Sequence, residues 1–368
     1  RMNYFKEQMS FKINENKMIE LNVNRCNILA DSFEQLHKLE PYELLRKIKV
    51  KFIGEKGIDE GGLTCEWFTL LVKEIFNSNN KLFNMTDNKS YHPNISSYEN
   101  KKHIELFKFA GMIIARSLIQ DQCINAHLTQ SFCRQILNLP FKFKDLEDFD
   151  HEIYTSLNHI LNNDVNQLNL DFTLNAKKNN SVEMILLKEN GDEINVTNEN
   201  KKEFVNLYAE YHLKNSIIDQ IKSFCEGFNS LIPQEQINYF SPAELDLLIC
   251  GIPEINIDDL RENTEYELPY DDHHPVIELF YNVISEWDND NLAKLLLFIT
   301  GSSQVPVNGF IEYKSKGKPI TIMPGGDKKN YCVAHTCFNI LALPGYETEK
   351  EMNEKLLISI QQSQFELF

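Results

Sequence analysis

The stretch Ala334-His335-Thr336-Cys337-Phe338-Asn339 puts an imidazole, a hydroxyl and a thiol at three consecutive positions, just before the strand-forming run Ile340-Leu341-Ala342-Leu343. Three chemistries suit a cysteine there: packing as a small hydrophobe, ligating a metal, or attacking an acyl group. Cys26, Cys65, Cys123, Cys133, Cys225, Cys250 and Cys332 are the other cysteines, and no two of the eight stand as Cys-x-x-Cys, which argues against a zinc site. Free cysteines usually pack in cores. Against that, small polar neighbours and flanking Gly and Pro mark a loop, so the local sequence leaves packing residue and loop nucleophile level.

His335 can polarise the thiol or simply cap the loop, because a residue two positions away need not face the sulfur. Thr336 can donate to a developing oxyanion or bond its own backbone. An ordinary thiol, with pKa about 8.5, is only a few per cent thiolate at neutral pH, and no Lys or Arg adjoins Cys337 in sequence. Gly57, Gly61 and Gly62 in "GIDEGG" hint at a phosphate loop, but no Gly-Lys-Ser/Thr follows, so a structural turn is the better reading and no cofactor is implied.

The bulk numbers restrict what such a site can serve. The chain has 368 residues, enough for two lobes. Its formal charge of -17, with short scattered basic pairs and no basic stripe, makes nucleic acid and anionic membrane poor partners and favours basic protein faces. No apolar run reaches the roughly 18 residues of a membrane helix, and "RMNYFKEQMSFKINENK" is unlike a signal peptide. Arg1 implies a chain cut from a longer one. Irregular cysteine spacing suggests reduced thiols, hence a cytoplasmic or nuclear location.

The first two-thirds read as mostly helical. Ile217, Ile221, Phe224, Phe228 and Leu231 fall on one helical face that ends before Pro233. "SPAELDLLICG" predicts a short helix with Ser241 and Glu244 as its capping box and Gly251 as terminator. "SVEMILLKENGDEINVT" predicts a hairpin turning at Asn190-Gly191, leading into the helix "NENKKEFVNLYAEYHL". After Gly251, "IPEIN" breaks the pattern. Two helices follow, "PVIELFYNVISEW" and "NLAKLLLFIT", then strand candidates "FIEYK", "PITIM" and "FNILAL", and a last helix boxed by Thr348 and Glu351.

An ordered set of motifs resembles the HECT-type ubiquitin ligase catalytic domain. "AHTCFNILALP" is similar to the active-site signature of that family, in which the cysteine accepts ubiquitin as a thioester. "KFIGEKGIDEGGLTCEWFTLLVKEIF", "FKFAGMIIARSLI", "TNENKKEFVNLY" and "LLLFITGSSQVPVNGF" resemble further family segments, in order, from about residue 24 to 368. The resemblance implies an α+β, bilobal fold: a larger, mostly helical N-lobe over 1–251 carrying a small partner-binding subdomain at about 141–207, a hinge at 252–256, and a smaller α/β C-lobe over 257–368.

It also implies roles. Cys337 would take ubiquitin from a charged ubiquitin-conjugating enzyme and pass it to a lysine of a protein substrate or of ubiquitin. His335 and Thr336 would assist. Phe365, fourth from the end, would help transfer to lysine, with Glu366 or the terminal carboxylate as proton acceptor. Ile153, Ser156, Leu157 and Phe204 would line the groove for the conjugating enzyme, although Ile153, Leu157 and Ile160 equally fit a helical core stripe. Cys65 stands where Arg is common, Cys332 for a frequent Pro, Ala342 for a frequent Asp and Gln364 for the usual Gly. The Cys65 change puts one inter-lobe or domain contact in doubt, and none of the four removes the nucleophile.

Alternatives are a ligase for another ubiquitin-like modifier, a non-catalytic interaction module, and a ubiquitin-directed cysteine hydrolase. Papain-like hydrolases place their base histidine after the nucleophile, and no histidine follows Cys337. No metal or cofactor is expected.

Overall fold

The computed structural model describes residues 2–10, 12–55, 62–178 and 181–365. These fall into two compact units. One takes in Arg1–Glu74, Arg116–Asn125 and Leu247–Phe368, the other Ile75–Ala115 and Ala126–Asp246. Helices and strands are mixed in an α+β fold.

The first unit opens with a parallel pair of strands, Asn14–Val23 and Arg46–Phe52, joined through the helix Ile28–Leu36. Parallel neighbours need such a crossover, and the alternation along them buries Leu21, Val23, Ile48, Val50 and Phe52. The helix Gly62–Ile75 is tied to this layer by Trp67, whose indole N–H donates to Ser32 Oγ at 2.9 Å in the interior.

The rest of this unit is a four-stranded sheet in the order Thr264–Tyr266, Ile320–Pro324, Ile340–Leu343, Val333–His335. The first three strands are parallel, and the fourth returns antiparallel at the edge. Ile320, Ile322, Leu341 and Leu343 face inward against Ile277, Phe280 and Ile284 of the helix Pro275–Ser285, Leu295 and Ile299 of Asn289–Thr300, and Met352, Leu356 and Ile360 of Glu349–Phe365. Thr348 Oγ1 accepts the Glu351 N–H at 3.2 Å, the expected start of the last helix. "PITIM" and "FNILAL" supply strands as expected.

"FIEYK" does not. Ile311–Ser315 is a short helix, and the reason lies with Glu312. Helical spacing sets Lys316 (2.9 Å) one turn after it on its carboxylate, Asn308 (2.9 Å) reaches it from the preceding turn, and Lys6 approaches from the N-terminal helix Met2–Ser10 at 2.8 Å. Those partners hold the buried Glu312 carboxyl down at about 2, and an extended segment would scatter them. Asp121 completes the cluster, taking Lys6 at 2.8 Å and Lys316 at 2.6 Å.

In the second unit the helices Ile218–Leu231 and His103–Ile119 cross where Gly111 meets the backbone at Phe224 and Gly227 meets the backbone at Lys108. A Cβ on either glycine would come within about 2 Å of a carbonyl oxygen. The expected apolar face of Ile218–Leu231 is buried throughout. Ser241 and Glu244 form the expected capping box, with Ser241 N–H on Glu244 Oε2 at 2.8 Å and Glu244 N–H on Ser241 Oγ at 3.3 Å.

The hairpin differs from expectation. Ser181–Leu186 pairs with the upstream strand Thr173–Lys178, not with the run after Asn190. Asn190 does turn the chain, at φ 53°, but Gly191–Glu193 then forms a 3-10 turn. Gly191 lies against the Phe172 backbone and its carbonyl accepts the Phe172 N–H, so the downstream run closes on residues 170–172 instead of extending the hairpin. Around this lies a separate core of Leu146, Leu157, Val165, Phe172, Val196 and Phe204.

Candidate active site

Cys337 sits in the turn 336–339 joining the antiparallel strands Val333–His335 and Ile340–Leu343. The Phe338 N–H closes the turn on the His335 carbonyl at 3.0 Å, and Asn339 leaves it at φ 55°, a left-handed conformation that asparagine tolerates well. Asn339 is then locked down. Its Nδ2 donates to the Lys318 carbonyl at 2.8 Å, its own carbonyl accepts the Thr321 N–H at 2.9 Å, and its side chain is buried. The turn therefore stands on the neighbouring parallel strand, which gives a loop thiol the fixed position that proximity-driven acyl exchange requires.

Burial separates the cysteines. Cys332 lies inside, with its Sγ 3.7 Å from Tyr346 Oη and its thiol pushed up to about 11 by burial. Burial likewise raises Cys123 and Cys225 to about 12 and Cys133 well above the ordinary range, and Cys250 is buried. Cys337 is half-buried, as is Cys65, and Cys26 is exposed. Of these three, Cys337 is the one held on a turn with a threonine hydroxyl adjoining it.

The start of the helix Gly62–Ile75 comes against that turn. A Cβ built on Gly62 would lie 2.6 Å from Cys337 Sγ and 2.7 Å from Thr336 Oγ1. Cys65, one turn later, packs at Gly301, where a Cβ would stand 3.3 Å from the Cys65 Cβ, and Thr69 Oγ1 donates to the Gly301 carbonyl at 3.0 Å. The Cys65 departure thus falls where a small side chain fits. Gly57 and Gly61 lie outside the described residues.

His335 is exposed on the edge strand, paired with Ile340, and among the described residues no hydrogen bond joins it to Cys337. Thr336 is half-buried beside the thiol. Phe365 is the last residue of the helix Glu349–Phe365, and its side chain, Gln364's and the whole of Glu366 lie outside the described residues.

Two residues expected to line the groove are buried. Leu157 is only 3% exposed and Phe204 4%, both within the small core of the second unit, where Phe204 meets the Phe172 ring edge-on at 5.6 Å. The family resemblance made both positions candidates, and for Leu157 the helical core stripe that the spacing also allowed is what the structure shows. Ser156 is exposed and Ile153 half-buried at the margin of that core.

Lys318 was invisible to sequence reasoning. It is 19 residues from Cys337, yet its Nζ donates to the Cys337 carbonyl at 3.2 Å. The parallel pairing of Thr321 with Ile340 brings it there, and only a correct strand register would have revealed it. Tyr331, Val333 and Phe338, all exposed, give the same hairpin an apolar outer surface. No helix among the described residues is long and apolar enough to cross a membrane.

Residues 69–368 match the family model for the HECT-domain (ubiquitin-transferase). The E3 ubiquitin-protein ligase UPL1 of Arabidopsis thaliana is 38% identical over 357 residues, which is 94% of this chain and 10% of that protein. The E3 ubiquitin-protein ligase Nedd-4 of Drosophila melanogaster is 38% identical over 98% of this chain and 36% of its own length. The E3 ubiquitin-protein ligase RSP5 of Saccharomyces cerevisiae is 34% identical over 98% of this chain and 45% of its own length. The chain therefore spans between a tenth and a half of these relatives.

Proposed function

The chain belongs to the HECT-domain (ubiquitin-transferase) family, and from that premise we propose that it is a ubiquitin ligase module whose Cys337 carries ubiquitin as a thioester. The observation that carries this reading is the position of Cys337: a half-buried thiol on a turn braced by Asn339 against the next strand. In the first step Cys337 attacks the thioester of a charged ubiquitin-conjugating enzyme. One C–S bond forms as another breaks, so the exchange is close to isoenergetic and positioning supplies most of the rate. In the second step a lysine of a protein substrate or of ubiquitin attacks the new thioester and forms an isopeptide bond, releasing the Cys337 thiol.

Supporting roles follow the same reading. Thr336 Oγ1, beside the thiol, donates to the oxyanion of the tetrahedral intermediate. His335, on the edge strand, polarises the thiol or caps the loop. Phe365 and Glu366 act at the second step, Glu366 as proton acceptor. Ile153 and Ser156 contact the conjugating enzyme, with Leu157 and Phe204 supporting them from beneath in a subdomain at about 141–207. In this reading 1–251 is the lobe that docks the partner, 252–256 the hinge and 257–368 the lobe that presents Cys337, a division that differs from the compact units, in which Arg1–Glu74 packs with Leu247–Phe368. The apolar side chains of Tyr331, Val333 and Phe338 suit a protein partner better than a small molecule. The module acts in the cytoplasm or nucleus.

The deciding test mixes the protein with activating enzyme, a conjugating enzyme, ubiquitin and ATP and resolves the products on a non-reducing gel beside Cys337→Ala. A thiol-sensitive ubiquitin adduct that needs Cys337 is expected. Its absence across a panel of conjugating enzymes, with the protein folded, refutes the proposal.

A further inference from the structure

Among the described residues, a lysine of the chain itself stands beside Cys337. Lys318 precedes the strand Ile320–Pro324, and its backbone is fixed beside the turn by the Asn339 side chain, which donates to its carbonyl at 2.8 Å. Its Nζ reaches back to the Cys337 carbonyl at 3.2 Å. Within one cysteine the carbonyl oxygen and the sulfur are four bonds apart, so Nζ lies within about 8 Å of the sulfur, a gap that a four-carbon stem closes by rotating.

Three other lysines of the same lobe are held elsewhere. Lys314 pairs with Glu265 at 3.5 Å, Lys316 with Asp121 at 2.6 Å and Lys328 with Glu347 at 2.8 Å, whereas no carboxylate among the described residues pairs with Lys318. Releasing Lys318 for reaction therefore breaks one exposed hydrogen bond and, among the described residues, no ion pair.

We infer that Lys318 is a self-modification site: it accepts the acyl group carried by Cys337 in an intramolecular sulfur-to-nitrogen transfer when no external lysine intervenes. The inference rests on the thioester reading above. The neutral amine attacks the thioester carbonyl carbon, a C–N bond forms, the C–S bond breaks, and the departing Cys337 thiolate takes up the proton lost by nitrogen. One thioester and one amine become one isopeptide and one thiol, with no further reactant. Holding the two groups just before adjacent parallel strands converts a bimolecular reaction into a unimolecular one. The product leaves a bulky chain beside Cys337, so a molecule that has discharged onto itself is hindered from being charged again.

The test is a single-turnover chase with the full chain. Charged protein is freed of donor, incubated without acceptor, digested, and searched for a Gly-Gly remnant on Lys318. The remnant is expected to accumulate as the thioester decays, with a rate constant unchanged over a tenfold range of protein concentration. Lys318→Arg keeps the cation at the Cys337 carbonyl and is expected to charge normally, lose the remnant and prolong the thioester lifetime at least twofold. Thioester decay with no remnant on Lys318, or a rate proportional to protein concentration, overturns the inference. If no ubiquitin thioester forms, the ligase reading has failed. Cys337 is then acylated with a Gly-Gly peptide aryl thioester and the same remnant sought: its appearance on Lys318 supports the inference and its absence overturns it.

Discussion

Gly62 and Cys337 are in contact so close that a single methyl group on Gly62 would stand 2.6 Å from the Cys337 sulfur. The first residue of one helix thus serves as the seat for the tip of a hairpin 275 positions further along the chain, and the absence of a side chain is what makes the seat fit.

Gly62→Ala should unseat the tip. The atoms in the way are side-chain ends, Cys337 Sγ and Thr336 Oγ1, which can rotate, so the strain should fall within the overpacking range of about 1–3 kcal/mol. Iodoacetamide labelling of Cys337, followed by mass spectrometry, is expected to speed up severalfold while the thermal midpoint drops by several degrees. Unchanged labelling would mean that the turn absorbs the methyl group without moving.

Phe204 is predicted to matter for stability first. It is 4% exposed and packed on Phe172, so Phe204→Ala should cost about 3–5 kcal/mol in urea unfolding. Ser156→Arg, at an exposed position, should leave the urea midpoint within error and weaken binding of the conjugating enzyme by calorimetry. A Phe204→Ala protein of wild-type stability would place that ring outside the core.

Acid should weaken the fold through His92. Its Nδ1 lies 2.8 Å from Thr129 Oγ1, its Nε2 is buried with no partner among the described residues, and burial lowers its pKa from 6.5 to about 3. The unfolded chain therefore binds the proton more readily than the folded one. The contribution of neutral His92 is complete above pH 6.5 and is lost as pH falls toward 3, by on the order of 2 kcal/mol already at pH 5. Urea midpoints at pH 7.5 and pH 5 should differ in the wild type, and His92→Gln should reduce the difference.

Lys6→Met should be costly despite changing one residue of a nine-residue helix. Glu312 is 5% exposed and would keep Lys316 but lose the nearer cation, and breaking a buried pair from one side costs about 3–5 kcal/mol. The double variant Lys6→Met with Glu312→Gln should recover part of that loss in urea titrations. A double variant as unstable as the sum of the single changes would mean that the two side chains are not coupled.

The sequence was most informative where a single local rule governs. The buried face of Ile218–Leu231 and the Ser241–Glu244 box follow from periodicity and capping, and neither depends on the rest of the chain. It misled where the deciding partner is distant. "FIEYK" has strand-forming residues, but Glu312 needs Lys6 from 306 residues away, and the helix supplies it. Asn190-Gly191 turns the chain as its composition demands, while the strand that pairs with Ser181–Leu186 lies upstream. Leu157 and Phe204 show a further limit, since an apolar groove and an apolar core are written with the same spacing. Cys337 was legible as a loop thiol from its neighbours, but Gly62 and Lys318 reach it only through the fold.

The sequence order of the first compact unit has a consequence for how the protein is made. Arg1–Glu74 shares that unit with Leu247–Phe368, so during translation the early segment emerges long before the residues that complete it. At about 5–20 residues per second, the ribosome takes roughly 10–30 s to traverse the intervening stretch. Through that interval Lys6 has no Glu312 and Gly62 no hairpin to seat. The early segment thus waits without the strands that complete its unit, while Ile75–Ala115 and Ala126–Asp246 can acquire their own core on the way.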